Sequence, residues 1–145
     1  MTTKNENIFF LPIRVYYEDT DAGGVVYHTN YIKFMERART EWLRNLGFEQ
    51  DELRANDGVI FAVRSVQADY FLPAKFNDEL MVSSHVIKNG KASITIEQEV
   101  LRKSQDNNEQ DEVLCKGIIK VATLDDKSFR PKAMPEKLCE VIEQQ

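Results

Sequence analysis

HTNYIKFMERARTEWLRNLG, residues 28–47, is the stretch on which the fold turns. Tyr31, Phe34, Met35, Ala38, Trp42, Leu43 and Leu46 recur at the i, i+3, i+4, i+7 spacing of one helical face, and Lys33, Glu36, Arg37, Arg39, Glu41 and Arg44 cover the remainder. Thr29 or Asn30 is the expected N-cap, and Gly47 is placed to close the helix in the left-handed conformation. Downstream the pattern changes from helical spacing to runs rich in Val, Ile, Phe and Thr. Val59 to Tyr70, Glu79 to Lys88, Ala92 to Lys103 and Val113 to Leu124 all read as strands. Upstream, Phe9 to Glu18 reads as a fifth, with Ile13, Val15 and Tyr17 alternating with Arg14, Tyr16 and Glu18. Pro12 near its start fits an edge position.

The connections carry their own signals. Asn89-Gly90 predicts a two-residue hairpin turn, because both residues accept positive φ at low cost. SQDNNEQD, residues 104–111, reads as a longer hairpin loop, and Pro73 and Asn77-Asp78 punctuate an earlier connection. A short helical turn is expected from Glu49 to Asn56, ended by Asp57-Gly58. Pro135 opens a short C-terminal helix carrying Leu138, Val141 and Ile142. One helix cannot cover both faces of five strands. The expected fold is therefore α+β, with a five-stranded antiparallel sheet curved around one long central helix. Its open edges are expected to pair in a dimer.

The 145 residues predict one domain, 1–145, large enough to bury roughly 68–70% of its unfolded surface. With 19 Lys+Arg against 24 Asp+Glu, the net charge is −5. The sequence pI of about 5.1 argues against a nucleic-acid binder, whose domain is usually basic. Apolar runs such as Val59-Ile60-Phe61-Ala62-Val63 fall far short of a membrane span. The opening MTTKNENIFFLPI lacks the pattern of a signal peptide. Cys115 and Cys139 read as two reduced thiols of a cytoplasmic protein. Two histidines, His28 and His85, give little basis for a zinc site.

The segment with chemical potential is Asp19-Thr20-Asp21-Ala22-Gly23-Gly24, between the first strand and the long helix. It fails as a calcium loop, since Gly23 and Asn30 stand where oxygen ligands are needed. It fails as a phosphate cradle, since the helix opens with Tyr27-His28-Thr29-Asn30. One reading is an Asx-type turn with solvated aspartates. The other is a carboxylate facing the unpaired N–H groups of a helix start, where those groups stabilise an oxyanion while the carboxylate attacks a carbonyl or activates water. Gly23 and Gly24 would let substrate approach the backbone closely. Composition does not choose between the two.

RVYYEDTDAGGVVYHTNYIKFMERARTEWLRNLGF closely resembles the 4-hydroxybenzoyl-CoA thioesterase family of hot-dog proteins. The similarity is greatest to its YbgC-type branch of Tol-Pal-associated acyl-CoA thioesterases. DYFLPAKFNDEL and the closing RPKAMP extend the resemblance over most of the chain. It implies hydrolysis of acyl-CoA to free acid and CoA, with Asp21 as the catalytic carboxylate. The carbonyl is polarised by backbone N–H near His28, whose ring is a second candidate for positioning substrate or water. Gly23, Gly24 and Tyr27 would line the substrate. Arg130 and Lys132 are the first candidates for the CoA nucleotide, with Lys88 and Lys91 behind them. Asp19 is expected to order the loop, Tyr31 to be core, and Glu36 and Glu41 to be solvated helix residues. No metal or separate cofactor is implied, CoA being part of the substrate. The resemblance further implies a homodimer assembling to a homotetramer. It also points to acyl carrier protein as a possible partner, or to a scaffold role at the Tol-Pal system with hydrolysis incidental.

Overall fold

A computed structural model describes residues 7–104 and 110–145. The predicted helix is α1, His28–Asn45. Tyr31, Phe34, Met35, Ala38, Trp42 and Leu43 of its stripe are all buried, and Leu46 is partly so. Full burial contributes roughly 1.5–3 kcal/mol for each large side chain. Gly47 closes the helix at φ +97°. Its N–H bonds the Arg44 carbonyl while the Phe48 N–H reaches back to Leu43, which satisfies two of the last carbonyls.

The helix start differs from expectation. Tyr27 is the N-cap and no side chain caps the end. The helix begins one residue before Thr29, so Thr29 and Asn30 fall inside its first turn, and Asn30 is committed elsewhere.

Five antiparallel strands run β1 (Phe9–Arg14), β2 (Val59–Tyr70), β3 (Glu79–Asn89), β4 (Ser93–Arg102) and β5 (Glu112–Asp125), in the spatial order β1-β3-β4-β5-β2. Bulges at Arg64, between Val86 and Lys88, and between Val100 and Leu101 bend the sheet. The bent sheet wraps α1, as expected. Along β4, Ile94, Ile96, Gln98 and Val100 are buried and alternate with less buried neighbours. One core cluster joins Tyr31, Phe34, Met35 and Ala38 to Leu80, Val82, Val100, Leu114 and Ile119. A second joins Trp42, Leu43 and Leu53 to Ile94, Ile96, Met134, Leu138 and Ile142. Leu53 comes from α2 (Gln50–Asp57), and Leu138 and Ile142 from α3 (Glu136–Glu143). Among the described residues no helix is long and apolar enough to cross a membrane.

Two further local readings are corrected. The first strand ends at Arg14, and a single 3-10 turn follows at Tyr17–Asp19. Tyr17, expected within the strand's alternation, therefore lies beyond it and is 79% exposed. The reason is a local competitor for the ladder: the Asp19 side chain captures the Tyr16 N–H at 2.8 Å. The second concerns Asn89-Gly90, neither of which adopts positive φ. The reversal falls at Lys91-Ala92, with the Gly90 N–H on the Ser93 carbonyl at 2.8 Å. Met134 and Thr123 donate to the carbonyls of Lys91 and Ala92, so the neighbouring chain moves the turn past the Asn-Gly pair. Of the predicted 104–111 loop, residues 105–109 lie outside the described residues. So do residues 1–6 of the N-terminal segment.

Candidate active site

Asp21-Ala22-Gly23-Gly24-Val25 folds into a three-residue hairpin. The Asp21 N–H donates to the Val25 carbonyl at 2.9 Å, and the Gly24 N–H donates to the Asp21 carbonyl at 3.0 Å. Gly24 takes φ +82°, the left-handed conformation that completes such a loop and that side chains resist. Asp21 Oδ1 accepts the Gly23 N–H at 2.8 Å, an Asx turn. Asp21 is itself exposed, and no hydrogen bond from the described residues occupies its second oxygen. The Asx turn and a carboxylate open to solvent are thus both present, on different oxygens of one side chain.

Asp19 sets where this hairpin sits. It is 3% exposed, and its two oxygens accept the Tyr16 N–H and the Asn30 side-chain amide, at 2.8 and 2.9 Å. Its carbonyl accepts the Tyr27 N–H. The first turn of α1 is thereby tied to the turn that precedes the hairpin. On the other side Val26 donates to the Ala74 carbonyl, and Val25 bridges Lys75. The Tyr31 hydroxyl accepts the Ala74 N–H at 3.0 Å, and burial pushes its acidity below that of ordinary tyrosine.

These restraints bring Asp21, Tyr27 and His28 to one cleft of about 380 Å³. Val25, Val26, Tyr31, Tyr70, Phe71, Leu72 and Pro73 complete its lining. His28 is the first residue of α1, and neither its N–H nor that of Thr29 bonds to another described residue. The amide left over at His28, with the positive end of the helix dipole, therefore lies at a cleft that also carries a carboxylate, whereas Thr29 is not among the lining residues. The His28 ring stacks at a tilt 4.5 Å from Tyr27 and meets Tyr70 edge-on at 6.4 Å.

Gly23 and Gly24 build the hairpin and are absent from the cleft lining. Arg130 and Lys132 stand at the far end of the sheet, where Pro131 bridges Leu124. Lys132 Nζ donates to the Asp57 carbonyl at 2.8 Å, next to the start of β2. Tyr70, at the cleft, ends the same strand, eleven residue steps or roughly 35 Å away. Within one chain these two cations do not meet the cleft. Glu36 is exposed on α1, and Glu41 pairs with Arg44. Among the described residues no group of His, Cys, Asp or Glu is disposed to hold a metal ion.

Two participants lack a local sequence signal. Asn30 reads as a cap but serves as the partner of Asp19. Tyr70 reads as the end of a strand, yet its hydroxyl reaches His28, 42 positions earlier in the chain. The DYFLPA stretch marks its neighbourhood without revealing that contact.

Comparison with known proteins adds an independent finding. Residues 15–142 match the model of the thioesterase-like superfamily. Acyl-CoA thioesterase YbgC of Haemophilus influenzae is 43% identical over 133 residues, which cover 92% of this chain and 93% of that protein. Among solved structures, a probable thioesterase from Bartonella henselae superposes with a TM-score of 0.79 at 29% identity, covering 88% of this chain and 99% of its own. A 4-hydroxybenzoyl-CoA thioesterase variant in complex with 4-hydroxybenzoyl-CoA superposes at 0.83 and 15% identity, covering 93% and 98%, and shares the fold.

Proposed function

The chain belongs to the thioesterase-like superfamily, and from that premise we propose that it is an acyl-CoA thioester hydrolase with Asp21 as its catalytic carboxylate. The observation that carries the reading is a solvent-open carboxylate and an uncapped helix start on one cleft. Kinship with YbgC proteins over 92% of the chain supports acyl-CoA as the substrate class.

The reaction takes acyl-CoA and water to free acid and CoA. The thioester carbonyl lies toward the N–H groups of His28 and Thr29, which stabilise the oxygen as it gains negative charge. Asp21 acts in one of two ways. Its carboxylate attacks the carbonyl carbon, expelling CoA thiolate and leaving a mixed anhydride for water to cleave. Alternatively, it takes a proton from the water that attacks. The acyl group rests among Tyr31, Tyr70, Phe71 and Leu72. Thiol release from short-chain, long-chain and aromatic acyl-CoAs tests the proposal: efficient turnover of at least one class supports it, and failure on all three contradicts it.

The proposal includes a dimer formed along β2. This strand is an edge twelve residues long, with Val63 and Val66 exposed at its middle. Antiparallel pairing of two β2 strands about a two-fold axis carries the start of one beside the end of the other. Arg130 and Lys132 of a second copy then approach the cleft at Tyr70, which gives them a route to the CoA nucleotide. Light scattering checks this, and a stable monomer contradicts it. The proposal extends to a cytoplasmic setting, supported by two free thiols. The sequence resemblance supports acyl carrier protein and the Tol-Pal system as partners to be sought by pull-down.

A further inference from the structure

We propose that Tyr70 is a positioning residue for the thioester carbonyl, acting through the peptide that joins His28 to Thr29. The inference rests on the hydrolase reading of the cleft. Tyr70 closes β2, and its hydroxyl donates to the His28 carbonyl at 2.9 Å. Its ring meets Tyr31 edge-on at 5.4 Å and His28 at 6.4 Å, so the hydroxyl is aimed by packing on both sides.

The His28 carbonyl and the Thr29 N–H are the two ends of one peptide group. A donor on the oxygen draws charge through the amide and makes its N–H a stronger donor, as in any chain of hydrogen bonds. The Thr29 N–H is one of the two left without a protein acceptor among the described residues. Its strengthened dipole interacts most with a full negative charge. The benefit therefore falls on the oxyanion rather than on the neutral thioester, and appears in kcat. The bond also fixes the helix start against the end of the sheet. Asp19 secures the same turn through Asn30, from a different direction.

Tyr70→Phe removes one oxygen and keeps the ring with its edge contacts. The expected result is a kcat lower by about fivefold with KM changed less than about twofold, the size of one neutral hydrogen bond. In amide NMR spectra the Thr29 proton moves upfield, a readout that does not depend on turnover. A wild-type kcat in the variant, a change confined to KM, or an unmoved Thr29 resonance would each overturn the inference. Failure of the underlying reading looks different: wild-type protein itself would then release no thiol from any acyl-CoA.

Discussion

Replacing Asp19 by Ala is expected to unfasten the site and much of the stability at that end of the molecule. The side chain is buried, and its two oxygens accept the Tyr16 N–H and the Asn30 amide. Hydrogen bonds to an ionised acceptor contribute about 1.5–3 kcal/mol each, and their loss leaves the Tyr16 N–H and the Asn30 amide in need of partners. Allowing for water entering the gap, the net loss should be about 3 kcal/mol. For a chain of this length that lowers Tm by roughly 9 °C. Asp19→Asn should recover little, since its NH2 faces a donor whichever way the amide turns. Denaturant unfolding at fixed protein concentration gives the free energy, and thermal unfolding gives the Tm. A double-mutant cycle with Asn30→Ala isolates that bond, with an expected coupling of about 1–2 kcal/mol. Activity should fall along with stability, because the Asp21 hairpin loses its anchor on α1. Stability of Asp19→Ala within about 0.5 kcal/mol of wild type, or a coupling near zero, would refute the reasoning.

Two further expectations follow from packing. A Cβ at Gly117 would stand 2.8 Å from Met35 Sδ and 3.0 Å from Ile119 Cδ1, so Gly117→Ala should cost about 1–2 kcal/mol in thermal unfolding, and Met35→Ala should relieve part of it. Burial pushes the Cys115 thiol up to about 11, with Asp69 adding to the effect. A thiol reagent at pH 8 should therefore modify Cys115 only after unfolding, while the partly exposed Cys139 reacts in the native protein; rapid native labelling of Cys115 would contradict its placement.

The long helix was legible in its helical period and the four later strands in their runs of Val, Ile, Phe and Thr. The α1 stripe and those strands lie within about two residues of their expected bounds. Where one side chain outcompetes a backbone ladder, the period misleads: Asp19 taking the Tyr16 N–H ends β1 early and turns Tyr17 outward. The Asn89-Gly90 turn failed for a related reason, since Met134 and Thr123 pin the following carbonyls. Part of the site was written in the contiguous DTDAGG stretch, where the hairpin, the Asx turn and the nearby helix start are all local. Tyr70 and the far placement of Arg130 and Lys132 come from the register of β2 against β5, which no short window contains. Asn30 was visible as a polar residue at a helix start, but its partner was not, because a cap and a tether to a buried carboxylate share the same sequence signal.

The most direct test of the central claim is thiol release by Asp21→Asn beside wild type on the acyl-CoA that wild type hydrolyses best. The substituted amide keeps an oxygen for the Gly23 N–H, so the hairpin and the melting temperature should be retained. The account predicts kcat/KM lower by about 10²–10⁴, the range that a positioned acid or base supplies. A folded Asp21→Asn protein that turns over at the wild-type rate would contradict it.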